Sequence, residues 1–356
     1  MNNNELSEFG NVVAMNETTE TGAAGYRSLY DNFETYAADM KATPKTVVTG
    51  FDRLDNILKI NGFTMLGGAS GAGKTSLCLN IALKRAEKGL KTVFYSLEMP
   101  VFALVNRLIC IKHKIDYMHA GEYWQQFRNA AGEILKNIYF VGNKDLIFNN
   151  LPKFDTSENS ELIKTIKTAG GGASDLLLIV DSLHLLPADA NDVRVATNEN
   201  VIKIRNLTDN YHISSIIIGQ SKRGEKTFDY ITDIYDKKNG VFDTSQLRAQ
   251  FRESALIEYS ADALFYLLND ATPPTGINTT KKWLCAVKNR ITDTGMFSDK
   301  KIVGFEFNGE NYSFTENYTN TDLINQCAAD EGEQEQQPEP GKKATQKKKT
   351  KKDLII

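Results

Sequence analysis

Apolar and polar positions along the chain follow two different periods. From Tyr26 to about Met40, YRSLYDNFETYAADM places Leu29, Phe33 and Tyr36 at helical spacings, and Thr43-Pro44 ends that helix. Between Val47 and about Thr315, β-like runs recur: FTMLGG, KTVFYSLEM, LLLIVDSL, SSIIIGQS, DALFYLL and WLCAVKNR. Helix-length segments separate the first four, and the later ones have hairpin character. This alternation predicts an α/β fold, a mostly parallel central sheet flanked by helices with a C-terminal β-hairpin region. Residues 1–25 are polar and patternless, which predicts a flexible arm. After Asp330 the chain turns acidic and then strongly basic (EGEQEQQPEPGKKATQKKKTKK), with too few apolar residues to fold. The expected division is an arm at 1–25, a helix within 26–45, an α/β domain at 46–328 and a disordered tail at 329–356.

Composition narrows the class. The 356 residues are 41% hydrophobic, enough for a substantial core. The longest apolar run, LLLIVDSLHLL, contains charge and falls short of the roughly 18 residues of a membrane span. The polar start MNNNELSEFG is no signal peptide, so no membrane association and a cytoplasmic location are expected, in a bacterial cell or in the host of a phage. Cys78, Cys110, Cys285 and Cys327 show no paired spacing, which points to reduced thiols rather than disulfides or zinc. A net charge of -3 makes no global case for nucleic-acid binding, although a whole-chain sum can hide a local basic channel.

The chemistry concentrates in GASGAGKTS, Gly68 to Ser76. Gly68, Gly73, Lys74 and Thr75 fit G-x-x-x-x-G-K-[ST], with a strand-like lead-in and an amphipathic helix after it. Across Gly68, Ala69, Ser70, Gly71, Ala72, Gly73, Lys74, Thr75 and Ser76, backbone N–H groups can turn inward around phosphate oxygens. Lys74 would add a point charge, and the Thr75 hydroxyl would ligate magnesium. Asp181, ending the apolar strand in LLLIVDSL, is the candidate for the magnesium water shell; an aspartate there also serves as a turn or helix cap. Glu98 in VFYSLEMP is placed to orient water, and by position alone it reads equally as a surface glutamate.

Several further landmarks fall in one order: TVVTGFDRLDNIL before the phosphate loop, then YSLEMP, Asp181, IIIGQSKRG, FRESALIEYSADALFYL, AVKNR and a later Gly295. Over about Val47 to Thr315 this resembles the C-terminal motor domain of DnaB-type replicative helicases. The resemblance implies a RecA-like fold, ATP and Mg2+ as cofactors and a homo-hexameric ring. It also implies single-stranded DNA and forked duplex as partners, with a primase or loader besides. It gives Glu98 the role of general base, Asp181 that of magnesium ligand and Gln220 that of γ-phosphate sensor. Lys288 and Arg290 become the pair that reaches a neighbouring subunit's site, Arg290 as the arginine finger. Arg223, Lys226, Arg248 and Arg252 become candidates for the DNA backbone, with Glu253 shaping their loop. The helix at 26–40 resembles the linker that docks on an adjacent subunit, and equally fits a helix packed on its own domain.

The chain departs from that family in places. Only some 45 residues precede TGFDRLD, where the family has a helical N-terminal domain. An insertion between Gln220 and Arg252 carries Tyr230, Tyr235, Lys237, Lys238 and Gly240, and reads as a DNA-gripping loop or a flexible lid. Ala255 stands where glycine is common, Ser182 where tyrosine is usual, and KNRITDTG lacks the immediate glycine. The expected function is an ATP-dependent DNA helicase for replication of a phage, plasmid or mobile element. The alternative is a RecA-like ATPase switch or mediator that binds partners without processive unwinding.

Overall fold

FTMLGG forms β1 (Phe63–Gly68), with all six residues buried, because a strand covered on both faces needs a continuous apolar run rather than an alternating one. The same logic holds for β2 (Thr92–Ser96), β4 (Leu177–Asp181) and β5 (Ser214–Ile218), whose every position is buried. The computed structural model describes residues 37, 46–142, 154–170, 175–187, 192–220, 228–236, 238–251, 255–270, 278–290, 301–318 and 322–323. The chain divides into Met1–Lys41 and Ala42–Ile356. In the first unit only Ala37 is described, in a helix, so the arm and nearly all of the expected linker helix lie outside the described residues, as does the 329–356 tail.

Between these strands lie α1 (Lys74–Glu87), α2 (Val101–His113), the strand β3 (Ile138–Gly142), α3 (Glu161–Ala169) and α4 (Val193–Asn210). After β5 come a two-residue hairpin, β6 (Tyr235–Asp236) and β7 (Val241–Phe242), and the short helix α5 (Ala255–Ser260). The chain then lays down β8 (Ala263–Asn269), β9 (Thr279–Asn289), β10 (Ile302–Asn308) and β11 (Ser313–Tyr318). Nine strands make one sheet in the order β11-β10-β9-β8-β1-β5-β4-β2-β3. The six from β8 to β3 are parallel, and β9, β10 and β11 extend the sheet antiparallel beside β8. The expected mostly parallel sheet with a hairpin region is therefore the architecture observed.

Each face has its own core. Leu77, Leu79, Leu104, Leu108, Phe305 and Phe314 gather under α1 and α2, while Ile163, Ile166, Val201 and Ile204 gather under α3 and α4. The described part of the insertion after Gln220 joins the second core through Phe228, Ile231, Ile234, Phe242, Leu247 and Phe251. It is folded against the domain there, not a free lid; burial of six large apolar side chains outweighs the ordering of a short segment. Cys78, Cys110 and Cys285 are buried free thiols, as expected. Among the described residues no helix is long and apolar enough to cross a membrane.

One core position carries a cost. Lys282 on β9 is only 6% exposed; its amine donates to Asn269 Oδ1 at 2.5 Å and lies 5.4 Å from the Phe307 ring centre. Burial pushes this amine down to about 8 from 10.5. The folded state therefore disfavours the charged form, so stability is lowest below pH 8 and rises with pH between about 8 and 10.5. Lys282→Met should stabilise the protein at pH 7 by about 2–3 kcal/mol, an advantage that shrinks to nothing above about pH 10.5. Urea melts of both proteins across that range check it.

Candidate active site

The parallel register sets the geometry. Leu66 pairs with Ile218, Ile218 with Asp181, and Asp181 with Ser96, so β1, β5, β4 and β2 end side by side along one edge of the sheet. The segments that continue from those ends, Ala69–Gly73, Gly219-Gln220 and Leu97-Glu98, therefore converge on the N-terminus of α1. Gly73 is the turning point, at φ 100°, and an added Cβ would meet Phe314 at 3.3 Å. A side chain there would be strained in backbone and crowded in space.

A cavity of about 320 Å³ lies over this junction, lined by Ser70, Gly71, Gly73, Lys74, Thr75 and Ser76 of the phosphate loop together with Glu98 and Gln220. Thr75 Oγ1 donates to Asp181 Oδ2 at 2.8 Å. Asp181 is fully buried, and its Oδ1 has no hydrogen-bond partner. Burial pushes the Asp181 carboxyl up to about 6; the Thr75 hydroxyl opposes that rise, Glu98 adds to it, and Lys74 and Arg107 work against it. Lys74 is 7% exposed and donates to the carbonyls of Gly68 and Ala69 at 2.7 and 2.8 Å. Its amine is lowered by burial, with Asp181 and Glu98 holding it up. A buried carboxylate with one orphaned oxygen beside a threonine hydroxyl fits a divalent cation, which would satisfy that oxygen and remove the charge penalty. Among the described residues no cluster of three or more His, Cys, Asp or Glu could hold a metal by itself. Further ligands must then come from water and phosphate, as magnesium prefers.

Sequence reasoning missed one wall of this cavity. Met99, Arg107 on α2, and Phe307, Gly309 and Tyr312 around the β10–β11 turn also line it. Arg107 stacks its guanidinium 4.8 Å from the Tyr312 ring centre, and Tyr117 meets the same ring edge-on. The signal for Arg107 was its place nine residues after Glu98 on an amphipathic helix; nothing local marks Tyr312. Asn80 on α1 fastens this wall to the loop helix, donating to Ser76 O and Tyr312 O, both at 2.8 Å, and accepting from Phe314 N at 3.1 Å. The TGFDRLD segment braces the hairpin from outside: Glu316 accepts from the amides of Arg53 and Leu54, while Asp55 ties off the turn at Thr49 and Gly50.

The remaining predicted residues lie elsewhere. Lys288 and Arg290 are at the end of β9, beside Leu264 and Asp262 at the start of β8, at the opposite edge of the sheet from the loop. Arg248 is half exposed on the 3-10 segment Thr244–Phe251, 4.0 Å from Glu258. Arg223, Lys226, Arg252 and Glu253 lie outside the described residues.

In sequence, residues 46–315 match the family described as the DnaB-like helicase C terminal domain. No curated protein matches the chain. Among solved structures, an ATPase domain of a DnaB-like helicase aligns with a TM-score of 0.57 at 20% identity, covering 83% of this chain and all of that one. A DnaB-like replicative helicase, studied with its interactions with primase, aligns at 0.55 and 19% identity, covering 88% of this chain and 71% of that one. At such identities the likeness speaks for the fold. Asn80→Ala should cost about 2–4 kcal/mol by stranding buried partners. It should also loosen the Tyr312 wall, so that fluorescent-nucleotide titration reads a several-fold weaker affinity beside the lowered urea midpoint.

Proposed function

Since the chain belongs to the DnaB-like helicase C-terminal domain family, whose members are nucleotide-dependent ATPases, we propose that it is an ATP- and magnesium-dependent motor. In this reading it translocates on single-stranded DNA as a six-membered ring and opens forked duplex during replication. One observation carries the reading: a chain holds half of a hydrolytic site at one edge of its sheet and a basic pair at the other. Arg290 N donates to Asp262 O, and Asp262 N to Phe63 O, the first residue of β1. The phosphate loop leaves the far end of that strand, roughly 16 Å away at strand rise. Arg290 thus cannot serve the cavity of its own chain, but it can serve a neighbour's.

The roles follow from the geometry. The amides of residues 69–76 and the Lys74 amine hold the β and γ phosphates, Lys74 exchanging its two carbonyl partners for phosphate oxygens. Thr75 and Asp181 would hold magnesium, which neutralises charge on the phosphates when bound. Glu98, exposed at the cavity mouth, orients the attacking water and accepts its proton. Gln220 sits where β5 meets the γ phosphate and passes its presence to the segment after it. The Arg107 and Tyr312 wall takes the base or ribose side of the nucleotide. Arg290 and Lys288 from the next subunit stabilise the charge that develops on the transferring group. DNA is held by Arg248 with Arg223, Lys226 and Arg252, through phosphate contacts that weaken with salt. A primase or loader would dock on the assembled ring.

Lys74→Ala should abolish hydrolysis. Arg290→Ala should keep the assembled state and lose turnover by about a thousand-fold. Mixing Glu98→Gln with Arg290→Ala chains should restore partial activity, since some shared sites then receive two sound halves; no restoration argues against a shared site. The decisive assay is forked-duplex unwinding with ATP and magnesium beside ATPase stimulation by single-stranded DNA. Failure of both would replace the motor with a nucleotide-gated switch.

A further inference from the structure

Four successive carbonyls at the C-terminal end of α5 are each taken by a cation from another element. Lys288 Nζ donates to Glu258 O at 2.5 Å and to Ala261 O at 2.7 Å. Arg290 Nη2 donates to Tyr259 O at 2.9 Å, and Arg205 Nη1 of α4 to Ser260 O at 3.0 Å. Carbonyls at a helix end lack intrahelical partners and carry its negative pole, so cations are favourable there. Two of these three cations are the pair assigned above to a neighbour's nucleotide.

Asp262 joins the same group. Its Oδ1 accepts from Arg290 Nη1 at 3.0 Å, and its Oδ2 accepts from Arg205 Nη1 at 2.8 Å and from Phe63 N at 2.9 Å. Its main chain takes part as well, through Arg290 N to Asp262 O at 3.0 Å and Asp262 N to Phe63 O at 2.8 Å. The carboxylate is held on the central strand β1 and is only 16% exposed, whereas the Arg290 side chain is 52% exposed. Space for the carboxylate comes from Gly62, at φ 46°, where an added Cβ would fall 2.3 Å from Asp262 Oδ2. A guanidinium has five N–H donors in a rigid fork. Here Asp262 and the Tyr259 carbonyl hold donors on both terminal nitrogens, on the inward side, while half of the side chain stays open to solvent.

We propose that Asp262 is the positioning residue of Arg290, fixing the guanidinium so that its free donors present outward to the γ phosphate of the adjacent subunit. The inference rests on the trans role of Arg290 proposed above. A free arginine would have to be ordered at every turnover; one already forked onto a buried carboxylate loses less freedom on reaching the phosphate. Arg205 secures the second carboxylate oxygen and so keeps Asp262 from turning away.

The test is a double-mutant cycle in the full chain, read as kcat for ATP, nucleotide affinity and melting temperature. Asp262→Asn should lower kcat about ten- to a hundred-fold while the nucleotide dissociation constant stays within about two-fold. In an Arg290→Ala background the same change should cost nothing further. Mixing supplies a second readout: Asp262→Asn chains should regain activity with Glu98→Gln chains and gain none with Arg290→Ala chains, since those two lesions lie on the same half-site. Should Asp262→Asn fail to fold, Arg205→Met, at a partly exposed side chain, carries the test, with a kcat loss of about three- to ten-fold that vanishes in the Arg290→Ala background. Unchanged kcat in the folded Asp262 variant, or an equal loss in both backgrounds, overturns the positioning role. Normal turnover in Arg290→Ala alone would instead remove the trans reading beneath it.

Discussion

Everything at the candidate site depends on the register of four parallel strands. Their pairing puts Leu66, Ile218, Asp181 and Ser96 on one line across the sheet. A slip by one residue in any of them would turn its side chains to the other face. Asp181 would then leave the Thr75 hydroxyl, and Glu98 and Gln220 would no longer flank the same cavity. The register is secured by the apolar runs themselves, since strands buried on both faces cannot shift without exposing apolar side chains or burying charge at their ends. The sheet is thus less a support beneath the chemistry than the device that measures its distances.

The site is electrostatically expensive. Lys74 and Asp181 are both buried, each is driven toward its neutral form by burial, and each is partly relieved by the other. Asp181 Oδ1 is left without a partner. An apolar pair of the same volume would make a more stable domain. Retaining charge there makes sense where a polyanion and a divalent cation complete the set, so the instability of the bare site and its affinity for a metal-bound phosphate are two aspects of one arrangement.

Much of the α/β frame was legible because its signals are local. Six quoted apolar runs become strands, and the phosphate loop sits at the strand-to-helix junction that the motif requires. Strand β3 escaped notice because IYFVG is short and lies on the sheet edge, where burial is partial and the apolar pattern weak. The order of the strands was not readable, since placing β5 between β1 and β4 depends on long-range pairing. Arg107 and Tyr312 meet across a long stretch of sequence, and no periodicity announces such a contact. The insertion after Gln220 misled in a different way. Its tyrosines and lysines gave it the composition of a loop, while Ile231, Ile234, Leu247 and Phe251, spread among them, bury it against the domain.

Asn80 couples two regions that the chain writes far apart. By holding Ser76, Tyr312 and Phe314 at once, it makes the start of α1 and the β10–β11 turn a single opening unit, so neither can fray without breaking bonds to the other. In hydrogen-exchange terms, the Phe314 amide reports on the phosphate loop although it lies in a different strand pair. A nucleotide that quiets the loop must slow exchange at that amide as well, and the C-terminal hairpin becomes a spectroscopic gauge of occupancy at the other end of the sequence.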